Sequence, residues 1–127
     1  MAEPPNLLIV DDSTAIRKIL IRVLSQAGIA LGAVLEAGDG CEALKILEAH
    51  PVSMVLSDIN MPNMDGIEFL RAVRNSERFR GLPVVLITTE GAQARVQEAV
   101  ELGATSYIRK PFNADQLRDR LTTLLTK

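Results

Sequence analysis

The chain is predicted to fold as an α/β domain, a doubly wound parallel sheet with helices on both faces. Three observations predict it: five short apolar runs, amphipathic helical patterns between them, and a strand-to-helix alternation repeated five times. The runs are near-continuous in apolar character rather than alternating, as expected of strands buried on both sides. Parallel crossovers of this kind are right-handed, which distributes the helices over the two faces.

The first strand is expected at residues 7–10. A helix follows, with Ile16, Ile19, Leu20, Val23, Leu24 and Ala27 at helical spacing and Gly28 where a left-handed cap belongs. The second strand, residues 33–35, has the weakest pattern and is assigned from its place in the alternation. Asp39 with Glu42, and Asp65 with Glu68, resemble capping boxes opening the second and third helices, with Asp where Ser or Thr is usual. Cys41 is expected to be a small buried hydrophobe, and His50 with Pro51 to end the second helix. The third and fourth strands are expected at residues 54–56 and 84–87. The fourth helix should turn Val96, Ala99 and Val100 inward and end at Gly103. A fifth strand at 106–108 precedes a last helix capped by Asn113, with Leu117, Leu121, Leu124 and Leu125 as its apolar stripe.

At 127 residues the chain suits a single hydrophobic core, so one domain over 1–127 is expected, with a flexible leader at 1–5 and no output domain. Apolar residues make up 47% and charged residues 24%, ordinary for a soluble globular protein. A net charge of −2 argues against a broad nucleic-acid surface. No apolar run reaches the ~18 residues that a membrane span needs. The first residues carry no basic, apolar signal pattern, so a cytoplasmic location is expected. One cysteine, Cys41, leaves no internal disulfide and no multi-cysteine zinc site. Without a coiled coil or a long apolar edge, a monomer is expected.

The polar residues at the strand ends carry the chemistry. Asp11 and Asp12 follow the first strand, Asp58 lies just past the third, Thr88 closes the fourth, and Lys110 comes just after the fifth. All five belong to the carboxyl edge, where open α/β sheets bind ligands. Singly, each has an ordinary structural explanation: a turn aspartate, a strand-end threonine, a solvated lysine. Together they form a pattern. Three crowded carboxylates require a cation, and an all-oxygen site with few protein ligands suits Mg²⁺, with Mn²⁺ able to substitute. Metal and lysine then offset the acids and admit an anionic phosphoryl donor. Two unit charges ~4 Å apart repel by about 4 kcal/mol at an effective dielectric of 20. Relieving that is worth roughly a thousandfold in rate. Asp58 becomes the nucleophile, Lys110 part of the electrostatic clamp, and Thr88 a hydrogen-bond donor to a phosphoryl oxygen. Asp65 is read as the cap of the third helix.

The sequence resembles the receiver domains of two-component response regulators, over about residues 7–127. The likeness rests on Ile9-Val10-Asp11-Asp12-Ser13, on Ser57-Asp58-Ile59-Asn60-Met61-Pro62-Asn63-Met64-Asp65-Gly66, on Thr88, and on Gly103-Ala104-Thr105-Ser106-Tyr107-Ile108-Arg109-Lys110-Pro111-Phe112. It implies a flavodoxin-like, CheY-like (βα)5 fold with strand order 2-1-3-4-5. It implies Asp58 as phosphoacceptor and Asp12 with Asp58 as direct metal ligands. Asp11 would act through a metal-bound water and Asn60 through its backbone carbonyl. Thr88 and Tyr107 would be the switch pair, remodelling the surface of the fourth helix, fifth strand and fifth helix. The Lys110–Pro111 bond would be cis. Within the family the likeness is to the single-domain chemotaxis kind, where Asn60 and Glu90 would tune dephosphorylation. Departures from that kind are Ser13 and Ile59 in place of aromatics, Arg109 at an apolar position, and Gln93, Arg95 and Gln97 in the fourth helix.

The implied function is a phosphorylation-activated switch, loaded by a sensor histidine kinase or phosphotransfer protein and read by a downstream protein, a motor switch among the candidates. It catalyses only its own phosphorylation and dephosphorylation. A shuttle or scaffold in a phosphorelay, and a docking receiver that takes no phosphate, stay open as alternatives. An aspartyl phosphohydrolase is disfavoured, because adjacent acids replace its Asp-x-Asp pattern and no cap insertion is present. A flavin mononucleotide binder is disfavoured by two acids at the phosphate loop and the lack of tryptophan.

Overall fold

A computed structural model describes residues 4–88, 93–110 and 113–125. Its elements alternate strictly: β1 Leu7–Val10, α1 Thr14–Gln26, β2 Val34–Ala37, α2 Gly40–Ala49, β3 Met54–Asp58, α3 Gly66–Asn75, β4 Val84–Thr88, α4 Gln93–Glu101, β5 Ser106–Arg109 and α5 Ala114–Leu125. The strands form one parallel sheet in the order β2-β1-β3-β4-β5, the order that the family resemblance implied.

Strand side chains alternate between two cores. Leu8, Val10, Val55, Val84 and Leu86 point to one face and pack with Leu47 of α2, Phe69, Leu70 and Val73 of α3 and Ala99 of α4. Leu7, Ile9, Met54, Leu56, Val85 and Ile87 point to the other, against Leu20 and Leu24 of α1 and Leu117 and Leu121 of α5. The central strands β1, β3 and β4 are therefore buried on both sides, as their continuous apolar runs require. The outer strands are not: β2 is only half-buried over most of its length, and in β5 only Ile108 is fully covered.

Local chemistry sets the helix ends. The Asp65 carboxylate accepts the Glu68 N–H at 2.9 Å while the Glu68 carboxylate accepts the Asp65 N–H at 3.1 Å, a complete capping box. Asp39 makes one half of that motif, accepting the Glu42 N–H at 2.8 Å. Asn113 and Gln116 exchange the same pair of bonds at the start of α5. Ser13, not anticipated as a cap, accepts the Ile16 N–H and opens α1. Gly28 and Gly103 take the left-handed conformation just past α1 and α4, with φ of 72° and 96°.

Several expectations need correction. The second strand runs over Val34–Ala37 rather than 33–35, and the third, fourth and fifth strands extend to Asp58, Thr88 and Arg109. Ile19 and Val100 are each 51% exposed, and Cys41 is exposed. The cause is common to all three. Adjacent helical residues are about 100° apart, so a residue next to the centre of the inward stripe already points sideways. The inward stripes are centred on Leu20 and Leu24 in α1, on Gly40, Ala43 and Leu47 in α2, and on Ala99 in α4. Of the expected leader, residues 1–3 lie outside the described residues, while the Pro5 carbonyl accepts the Gly32 N–H at 2.8 Å. The Lys110–Pro111 bond lies outside them too.

Gly66 fixes how α3 leaves the sheet. Its N–H donates to the Ile59 carbonyl at 2.7 Å, and a side chain there would overlap the Asp58 carbonyl oxygen and lie 2.9 Å from Ile59 Cα. Backbone atoms cannot yield as a flexible side chain would. Gly66→Ala is therefore expected to destabilise the fold by about 1–3 kcal/mol. Urea unfolding checks this; an unchanged midpoint would show that the turn relaxes freely around the added methyl.

Candidate functional site

Sheet register assembles the polar cluster. Val10 is paired with Ser57, so Asp11 and Asp58, each one residue further on, emerge side by side at the carboxyl edge. Asp58 is paired with Ile87, which brings Thr88 to the same edge one residue later. Thr88 in turn is paired with Arg109, followed by Lys110. Neighbouring parallel strands thus deliver these residues to one rim from segments far apart in sequence.

Carboxylate oxygens of Asp11, Asp12 and Asp58 all lie within 4.8 Å of one another. Asp11 is 2% exposed, Asp58 half-buried and Asp12 exposed, so the cluster opens to solvent on one side. One Asp11 carboxylate oxygen accepts the Ser13 N–H at 2.9 Å. Burial is the largest influence on Asp11 and pushes its carboxyl above the usual 3.8; the Asp58 and Asp12 charges push the same way, against the Ser13 N–H and Lys110. Three acids this close, one of them buried, form a site able to hold a metal ion.

Asp58 is held by its own turn. Its Oδ1 accepts the Ile59 N–H at 2.8 Å, and its backbone carbonyl accepts the Ser57 hydroxyl at 2.8 Å. Oδ2 makes no hydrogen bond among the described residues. Thr88 is buried at 3% exposure, and its carbonyl accepts the Lys110 N–H at 2.6 Å, which fixes the lysine backbone beside the rim. Asn60 is exposed on the loop after β3. Tyr107 is 40% exposed on the edge strand and lines a cleft of about 230 Å³ with Val96, Gln97 and Arg109. Asp11, Asp12, Asp58, Thr88 and Lys110 come to one rim, Tyr107 stands on the outer surface, and Glu90 lies outside the described residues.

Asp65 caps α3, as its spacing from Glu68 predicts, and it makes a second contact that this spacing does not reveal. Asp65 Oδ2 pairs with Arg95 of α4 at 2.7 Å, and Arg95 also approaches Glu98, which Arg71 of α3 reaches at 3.5 Å. The N-cap of α3 is therefore tied to α4. Burial pushes the Asp65 carboxyl up, yet the Glu68 N–H and the Arg95 guanidinium outweigh it and hold it below 3.8. Nothing in the spacing of residues 65 and 95 announces this pair, since it depends on how two crossovers lie against each other.

The family model for the response regulator receiver domain matches residues 7–122. Chemotaxis protein CheY1 of Helicobacter pylori is 42% identical over 121 residues, 94% of this chain and 96% of that protein. Chemotaxis protein CheY of Pseudomonas aeruginosa is 37% identical over 122 residues, covering 96% and 97% of the two chains. Among solved structures, the chemotaxis response regulator CheY4 of Vibrio cholerae superposes with a TM-score of 0.84 at 35% identity, covering 96% of this chain and 99% of that one.

The Asp65 pair generates a pH prediction. A carboxyl held below its unfolded value contributes stability that is fully present above pH 3.8 and is lost as pH falls through the lower folded value. Asparagine keeps the cap but not the charge. Asp65→Asn should therefore be less stable than the parent near neutral pH, with the gap closing below about pH 4. Denaturant midpoints measured from pH 7 to pH 3 test this, and a gap independent of pH would show that the ion pair contributes nothing.

Proposed function

Because this chain belongs to the response regulator receiver family, we propose that it is a phosphorylation switch that takes a phosphoryl group on Asp58 and presents the result on the α4-β5-α5 face. The observation carrying this reading is the cluster of Asp11, Asp12 and Asp58 beside buried Thr88 and the anchored Lys110. A full set of reactive residues at one rim supports phosphoryl chemistry over a docking role without phosphate.

Asp58 Oδ2 would be the attacking oxygen, a choice supported by the bond that Oδ1 already accepts from the Ile59 N–H. It forms the new O–P bond as the donor's N–P bond breaks, with the electron pair leaving on the donor imidazole of a histidine kinase or phosphotransfer protein. Asp11, Asp12, Asp58 and the Asn60 carbonyl would hold Mg²⁺, or Mn²⁺ in its place, which when bound supplies the positive charge that lets an anionic donor approach three carboxylates. Lys110 adds a further positive charge at the rim. The Thr88 hydroxyl donates to a phosphoryl oxygen and couples uptake to Tyr107, whose outward position on an edge strand leaves it able to turn inward. Asn60 and Glu90 set the rate at which water reaches the acyl phosphate. The chain acts on itself rather than on a free substrate, and its output is contact with a downstream protein. The likeness to chemotaxis proteins supports motility control as the pathway.

Intact-mass spectrometry after incubation with acetyl phosphate tests the reading. One added phosphoryl group is expected with Mg²⁺, none with EDTA, and none for Asp58→Asn; undiminished uptake by that variant would refute the site. Lys110→Ala is expected to keep part of the phosphoryl uptake yet lose the accompanying shifts of β5 and α4 amides in backbone NMR spectra. Normal shifts in that variant would remove the coupling role of the lysine.

A further inference from the structure

Arg17 is the most fully engaged cation near the rim, and the chemistry above gives it no task. It lies in α1, and its guanidinium makes three contacts with three separate parts of the chain. Nη1 donates to the Asp11 carbonyl oxygen at 2.5 Å, Nε to the Glu36 carboxylate of β2 at 3.0 Å, and Nη2 to the Thr14 hydroxyl at 3.1 Å. Its side chain is only 15% exposed, and Glu36 is braced from the other side by Lys18 at 2.8 Å.

The Asp11 carbonyl belongs to the peptide that joins Asp11 to Asp12. That peptide is planar, so fixing its oxygen fixes the plane from which both acidic residues hang. The Asp11 N–H is already fixed by the Ala37 carbonyl at 3.0 Å, on the preceding peptide. Asp11 is thereby clamped on both sides, by the sheet behind it and by the guanidinium ahead of it. A planar fork with several fixed donors can bridge a carbonyl, a carboxylate and a hydroxyl together; a lysine ammonium on its flexible stem cannot do so in the same geometry.

We propose that Arg17 is the positioning residue of the cation site, orienting the Asp11-Asp12 pair through their shared peptide. This rests on the reading that Asp11, Asp12 and Asp58 hold a divalent cation. The sign of the effect separates positioning from plain electrostatics. As a positive charge beside the cluster, Arg17 opposes cation entry, so deleting it should tighten binding if charge were its whole influence. As a clamp, its loss should weaken binding by about tenfold, the lower end of what outer partners of metal ligands contribute.

The test is titration of the unphosphorylated protein with MgCl₂, following the Asp12 and Ser13 backbone amides by NMR, for the parent, Arg17→Gln, Arg17→Lys and Glu36→Gln. The expected result is a Kd raised about tenfold by Arg17→Gln, raised also by Arg17→Lys despite its retained charge, and raised less by Glu36→Gln, which leaves the fork but removes its anchor. A Kd for Arg17→Gln that is unchanged or lower would overturn the proposal. If Arg17→Gln does not fold, Arg17→Lys and Glu36→Gln decide the matter by the same criterion. A parent protein whose amides do not respond to MgCl₂ would instead refute the cation-site reading itself, and the proposal with it.

Discussion

Three carboxylate oxygens within 4.8 Å of one another are a costly arrangement, and the rest of the structure can be understood from how it is tolerated. Each pair of ionised acids at ~4 Å repels by about 4 kcal/mol at an effective dielectric of 20. A lone loop would splay to relieve that repulsion. Here the acids stand on the ends of β1 and β3, adjacent strands in the middle of the sheet with both faces packed under helices. Moving them apart would mean breaking sheet register or opening one of the two cores. The protein therefore keeps the repulsion and meets it with positive charge from outside the cluster. Lys110, whose backbone is tied to Thr88, brings one positive charge to the rim, and the cluster itself is able to hold a metal ion.

This explains why the sequence was informative about some features and silent about others. The central strands could be read because burial on both faces leaves a continuous apolar run, as in residues 7–10 and 84–87. The edge strand β2 could not be bounded as well, because Glu36 sits within it and pairs with Arg17 and Lys18. Caps could be read wherever the donor and acceptor lie three residues apart, as at Asp65 and Asn113. Exposure at the borders of helical stripes could not, and Ile19, Val100 and Cys41 were misplaced for that reason. The acidic cluster was legible because strand ends are local features and a parallel sheet gathers them at one edge. Arg17 and Arg95 were not legible, because a long cation can find its partners on any neighbouring element.

Those two arginines show what the fold adds to the motif residues. Arg17 spans β1, α1 and β2 on one side of the rim; Arg95 spans α3 and α4 on the other. Neither lies in an apolar core; Arg17 holds the backbone carbonyl of Asp11, and Arg95 holds the carboxylate of the α3 cap Asp65. Gly66 completes the second bracket, since its N–H donates to the Ile59 carbonyl and joins the turn after Asp58 to the cap that Arg95 holds.

The consequence is a contiguous set of contacts from Ile59 through Gly66 and Asp65 to α4, alongside the backbone bond from the Lys110 N–H to the Thr88 carbonyl. Contiguity by itself is no proof of coupling, but it sets what a coupled motion must break. A shift of α4 relative to the rim has to stretch the Arg95–Asp65 pair, an ion pair only partly shielded from water and therefore modest in strength. Ala99 on the same helix is fully buried against the core beneath α4. Movement of α4 is thus expected to pivot about its buried Ala99 side while the end bearing Arg95 swings, which would alter the cleft beside Tyr107 without disturbing the sheet that holds the acids in place.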